Sequence, residues 1–99
     1  MSDWYLYLIR CADDTLYTGI STDVDRRFAQ HQSEGFAGSR YLKGRGPLSL
    51  VFKEKIGSRS LALKVEHRVK RMTKARKEKL IKASGYAAQI VKRANTQHL

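Results

Sequence analysis

Five polar side chains in this sequence have the types needed to break a phosphodiester: Tyr7, Tyr17, Arg27, His31 and Glu66. That reaction needs an attacking oxygen that loses its proton, an offset for the phosphate charge, and stabilisation of the departing oxygen. Arg27 suits the second task, because a guanidinium grips two phosphate oxygens and stays charged. Glu66 suits the third if it holds a magnesium ion; such ions commonly take one protein carboxylate, keep several waters and bind substrate phosphate. Tyr7, Tyr17 and His31 are candidates for activating or orienting water. A tyrosine starts near pKa 10 and acts as a base only when nearby positive charge lowers that value, whereas histidine titrates near neutrality. Each residue also has a plain role open to it. Strand tyrosines pack, helix arginines and histidines face solvent, and Glu66 has Lys64 and Lys70 as ready ion-pair partners.

These five must be brought together by the elements that carry them. Trp4 to Ile9 is an unbroken aromatic and branched run, the pattern of a strand, and Leu16 to Ile20 is its return. Ala12-Asp13-Asp14-Thr15 between them is turn chemistry, which is also the favoured role of the two aspartates. Tyr7 and Tyr17 share a face only if facing residue numbers sum to an even value. Pairing Cys11 with Thr15 around a three-residue loop gives that register, with Ile9 opposite Tyr17. A two-residue loop would place the tyrosines on opposite faces, so the odd-length loop is expected. Gly19 near the strand end lets another group approach the backbone closely.

Thr22-Asp23-Val24-Asp25 has the form of a capping box, opening a helix to about Gln32 with Val24 and Phe28 inward. Arg27 and His31, four apart, project in nearly the same direction. Ser33 to Pro47 reads as a cationic loop carrying Arg40, Lys43 and Arg45, with room for one helical turn around Ser39 to Lys43. Leu48 to Ile56 reads as a third strand, with Leu48, Leu50 and Phe52 on one side. Ser58 caps a helix through about Arg71 with Leu61, Ala62, Val65, Val69 and Met72 as its apolar stripe. Thr73 caps a further helix to Ala83, closed by Ser84-Gly85. A last helix, Tyr86 to Ala94, precedes a frayed tail from Asn95 to Leu99 that contains His98.

The bulk composition narrows the partner. The chain has 99 residues, enough for one domain, with 20 lysines and arginines against nine acids and a net charge of +11. From Lys53 to Lys82 there are twelve basic and three acidic residues. Such an excess favours an anionic polymer, because each phosphate contact releases counterions. The single cysteine, Cys11, reads as a small buried hydrophobe in a reducing compartment. No apolar run approaches the roughly 18 residues needed to span a bilayer, and Met1-Ser2-Asp3 lacks the basic start of a signal peptide. The expectation is a cytoplasmic protein with no membrane partner. No glycine loop for phosphates and no cysteine–histidine cluster at zinc spacing competes with the five residues.

Tyr5-Leu6-Tyr7, Tyr17-Thr18-Gly19, Arg27, His31 and Glu66, in this order, resemble the GIY-YIG nuclease domain. The likeness runs from about Trp4 to Ile81. Tyr5 stands where the first motif usually has glycine, Leu6 replaces isoleucine, and Thr18 occupies the middle of the second motif. The resemblance implies an α+β fold, a small three-stranded antiparallel sheet flanked by helices. It implies one divalent ion, Mg2+ or Mn2+, on Glu66, a tyrosine that activates water with its neighbours' aid, and Arg27 on the phosphate. At the place of His31 a histidine assists in some relatives and a tyrosine stands in others. Several relatives also use a late asparagine; Asn95 is not assigned to that role. The expected division is a nuclease-like domain over 1–83 and a C-terminal helix and tail over 84–99. The expected activity is metal-dependent endonucleolytic hydrolysis of DNA, with branched or damaged forms as candidate substrates and RNA open. Arg26, Arg40, Lys43, Arg45, Lys70, Arg71 and Lys74 are the expected backbone contacts, which position without reading sequence. The alternatives are a basic DNA- or RNA-binding protein on the same scaffold without turnover, and an accessory subunit docking on an acidic protein.

Overall fold

Alternating side chains on one central strand organise this molecule. The computed structural model describes residues 3–32, 42, 44–83 and 85–96. The expected helical turn around Ser39 to Lys43, the contacts assigned to Arg40 and Lys43, the stop at Ser84 and the last three residues of the tail with His98 lie outside the described residues. The elements run β1 (Trp4–Arg10), β2 (Leu16–Ser21), α1 (Val24–Gln32), β3 (Ser49–Gly57), α2 (Arg59–Lys70), α3 (Lys74–Lys82) and α4 (Tyr86–Thr96). The strands form one antiparallel sheet in the order β2-β1-β3, so β1 is central and the sheet has the α+β form expected.

The hairpin closes as its loop length predicts. The Cys11 amide donates to the Thr15 carbonyl at 2.9 Å, and Ile9 stands opposite Tyr17. Asp14 takes a left-handed φ of 70°, which aspartate tolerates better than most residues. The Asp13 carboxylate accepts from the Thr15 hydroxyl at 2.6 Å and from its amide at 3.2 Å, so the aspartates serve the turn.

Each face of β1 has its own core. Leu6 and Leu8 pack with Val65 and Val69 of α2, Leu80 of α3, and Ala87, Ile90 and Ala94 of α4. Tyr7, Ile9 and Cys11 pack with Val24 of α1, Leu42 and Leu48. The second set includes two of the candidate residues, Tyr7 and Tyr17, and the first set is the larger apolar core. The α4 helix is part of that first core, since three of its residues are buried in it.

The third strand departs from simple alternation. Leu8 faces Phe52 but Ile9 faces Leu50, so Val51 is an extra residue at a bulge. The bulge turns Phe52 to the Leu6–Leu8 side while Leu48 and Leu50 stay with Tyr7. Leu48, Leu50 and Phe52 therefore do not share a side. A second shift between Trp4 and Tyr5 leaves Ile56 as another extra residue.

Caps set the helix starts. The Ser58 hydroxyl accepts from the Leu61 amide at 3.1 Å, and the Thr73 hydroxyl from the Arg76 amide at 3.2 Å, as their positions predict. In α1 the cap falls one residue later than the sequence suggests. Asp23, not Thr22, accepts from the Arg26 amide at 3.2 Å, while the amide of Asp23 donates to the Ser21 hydroxyl at 3.0 Å. Asp25 is then free to meet Lys53 at 3.4 Å across the surface.

Candidate active site

Tyr7 is 1% exposed, and its ring lies directly across Gly19, its neighbour on β2. A Cβ at Gly19 would overlap the Tyr7 hydroxyl and Cζ, so glycine is what gives the phenol its seat. The hydroxyl reaches His31 Nε2 at 3.1 Å. His31 comes from the last turn of α1 and is 4% exposed. Tyr17 completes a three-ring cluster. Its centroid is 6.4 Å from that of Tyr7 and 5.5 Å from that of His31, which meets it edge to face. The even register of the hairpin puts both phenols on one face, as required.

Arg27 and Glu66 act on the same phenol. Burial pushes Tyr7 up to about 12, and the neighbouring Tyr17 adds to the rise. A hydrogen bond from Arg27 and its charge pull the other way, and the Glu66 carboxylate pushes up. Desolvation wins, so Tyr7 stays protonated at neutral pH and does not by itself become the lowered-pKa base that the positive charge around it suggests. Burial, then the charge of Arg27, hold His31 down to about 4. The imidazole is neutral at pH 7. With its proton on Nδ1, it accepts the Tyr7 O–H at Nε2. Among the described residues its buried Nδ1 has no hydrogen-bond partner.

Glu66 arrives from α2, which packs on the other face of the sheet. The α2 helix packs against the edge strand β2, and the Glu66 carboxylate is the weakest of the influences on Tyr7. Its side chain is 18% exposed and meets Lys70 at 3.5 Å, one helical turn on. Tyr7, Tyr17 and His31 thus meet in one cluster, and the charges of Arg27 and Glu66 both reach the Tyr7 phenol. Of the roles open to Glu66 in the sequence, the ion pair with Lys70 is formed.

The donor set bears on the metal. Among the described residues no group of three His, Cys, Asp or Glu side chains gathers to cage a cation. A single largely buried carboxylate, joined by oxygens of a bound phosphate, would fit the sparse protein coordination that magnesium accepts. Glu66 is the residue that would hold it.

The basic residues divide by surroundings. Arg45 pairs with Asp13 at 2.6 Å. Lys74 bridges Asp14 at 2.8 Å and Glu78 at 3.2 Å. Arg10 joins the same cluster with two bonds of 2.7 Å to Glu78 and one of 2.7 Å to Asp14, which holds Glu78 well below the usual carboxylate range at about 2. Arg26 and Arg71 are exposed. Lys77, which the sequence did not single out, is half-buried, and burial followed by the nearby Lys70 lowers its pKa. Only the tertiary packing of α2 against α3 reveals that pairing.

The chain is similar to known proteins over most of its length. The family model described as GIY-YIG catalytic domain matches residues 3–79. The UPF0213 protein YhbQ of Escherichia coli is 48% identical over 99 residues, covering 100% of this chain and 97% of that protein. A UPF0213 protein of Citrobacter koseri is 54% identical over 91 residues, covering 91% of this chain and 89% of its own length. Among solved structures, the solution NMR structure of the UPF0213 protein BH0048 from Bacillus halodurans matches with a TM-score of 0.53 at 35% identity, covering 92% of this chain and 95% of that one.

Proposed function

This chain belongs to the GIY-YIG family, a nuclease superfamily, and from that membership we propose that it is a metal-dependent endonuclease acting on DNA in the cytoplasm. Branched or damaged DNA is the proposed substrate form, with RNA the alternative. The observation that carries the reading is the clustering of Tyr7, Tyr17 and His31, with the charges of Arg27 and Glu66 reaching the same phenol.

In the proposed mechanism Arg27 binds the non-bridging oxygens of the scissile phosphate. The phosphate offsets the Arg27 charge that helps depress His31, so substrate binding moves the imidazole back toward a useful basicity. Tyr7 donates its proton to His31 Nε2 and takes one from the attacking water at the same oxygen. The new P–O bond forms as the bond to the leaving sugar oxygen breaks; that oxygen takes a proton from solvent, and His31 later gives its proton back to solvent. A magnesium ion bound on Glu66 would supply positive charge for that departing oxygen. Tyr17 packs edge to face with His31 and holds the ring in place.

A second reading has its own support. Glu66 is already paired with Lys70, and Tyr7 is held protonated, which suits a protein that grips nucleic acid without cutting it.

A panel of end-labelled single-stranded, duplex, forked and four-way DNA, incubated with magnesium, manganese or EDTA, separates the two. The hydrolase reading predicts discrete products with either metal and none with EDTA. Salt-sensitive binding to the same substrates, without product under any metal, would select the binding reading.

A further inference from the structure

A groove of about 600 Å³ runs between α2 and α4, beyond the five-residue cluster. Its size is within the range of sites that hold ligands. Lys64, Arg68, Arg71, Arg76 and Arg93 line it, with His67 beside them, and among the described residues no carboxylate does. Its apolar lining is Leu63, Met72, Tyr86 and Ile90. Leu63 is 41% exposed, the large apolar side chain most open to water among the described residues. One wall of the groove, with Tyr86, Ile90 and Arg93, comes from α4, which lies beyond the span 3–79 matched to the family.

We propose that this groove is a binding site for single-stranded nucleic acid, an addition to the family domain that α4 makes possible. The inference rests on the reading of the protein as one that handles nucleic acid. The reasoning is charge and apolarity together. A rim of several cations, Arg71, Arg76 and Arg93 among them, can track a phosphate backbone. An apolar lining has nothing to take from an intact duplex, whose bases are stacked inside, but it can cover the faces of unstacked bases. A duplex would be served as well by a purely charged surface. The occupant is therefore a single strand, with phosphates on the arginine rim and bases against Leu63, Met72 and Tyr86.

The test is fluorescence anisotropy with a labelled oligothymidylate and a labelled duplex of equal length, in EDTA so that nothing is cut, across a salt series. One double variant removes two rim charges, Arg71→Gln with Arg93→Gln. A second removes two exposed charges elsewhere, Lys55→Gln with Lys92→Gln. Thermal melts confirm that both are folded. The expected result is that the single strand binds roughly tenfold or more tightly than duplex. The rim variant should lose roughly tenfold or more for the single strand, and its salt slope should fall by about one to two contacts. The control variant should lose much less. Equal losses in the two variants, or duplex bound as tightly as single strand, would overturn the proposal. Cleavage is not read in this assay. A protein that binds as expected but yields no product on the substrate panel defeats the hydrolase reading and leaves the groove standing. One that cuts while the rim variant binds normally defeats the groove alone.

Discussion

The ring of Tyr7 occupies the space where residue 19 would carry a side chain, so the first tyrosine motif is seated on the glycine that ends the second. Two segments a strand apart in sequence are thereby one structural device. Changing either end should disturb the chemistry before it disturbs the fold.

Gly19→Ala puts a methyl group into the Tyr7 hydroxyl and Cζ. The ring sits in a packed core and cannot yield cheaply, so the expected cost is about 1–3 kcal/mol of stability. Cleavage should fall further than that loss of folded protein explains. Urea melts alongside cleavage rates check this; a variant that is destabilised yet cuts normally per folded molecule would show that the phenol's position is not used.

Tyr7→Phe keeps the ring and removes the hydroxyl from His31 Nε2. A buried imidazole nitrogen loses its partner, which costs roughly 1–3 kcal/mol. The rate should fall about 10²–10⁴-fold if the hydroxyl carries the proton. His31→Gln should produce a loss of similar order, and the double variant should lose little more than either single one, because the pair works as a unit.

The depressed pKa of His31 makes a pH prediction with a definite sign. Between about 4 in the folded protein and the unperturbed value of 6.5, the unfolded chain binds more protons than the folded one. The contribution is fully present above pH 6.5 and is lost as pH falls toward 4. Its size is on the order of 1–3 kcal/mol. His31→Gln should flatten the dependence of stability on pH in that window. Chemical denaturation at a series of pH values measures it, and a slope unchanged by the substitution would contradict the assignment.

Lys70 neutralises the carboxylate proposed to hold the metal. Lys70→Gln should therefore lower the magnesium concentration for half-maximal cleavage by roughly two- to five-fold, the scale of a part-exposed ion pair. Magnesium titration of the wild type and the variant decides; a shift to higher magnesium would mean that Lys70 does not compete for Glu66.

The legible parts were local and periodic. The hairpin register follows from a three-residue loop, and the cap positions Ser58 and Thr73 follow from hydroxyls placed before apolar stripes. The same logic brought both phenols to one face and aligned Arg27 with His31. What the sequence concealed depends on the tertiary structure. The bulge at Val51 that separates Leu50 from Phe52 has no local signature, since every residue involved is a good strand former. Asp23 and Thr22 are both good caps, and the Ser21 hydroxyl on the Asp23 amide accompanies the later start. Lys74, an expected phosphate contact, also meets Asp14, 60 residues away, at 2.8 Å, a pairing that order along the chain does not announce. The protonated state of Tyr7 was hidden for the same reason. Neighbouring charge can be guessed from order along the chain, but the degree of burial that outweighs it cannot.

The most direct test is cleavage of labelled forked and duplex DNA in magnesium by the wild type and by Glu66→Ala, with both proteins shown to be folded by circular dichroism. The wild type should release discrete products and Glu66→Ala none, while both still bind the DNA. Equal product from the two proteins would contradict the assignment of Glu66 to the reaction and, with it, the five-residue site.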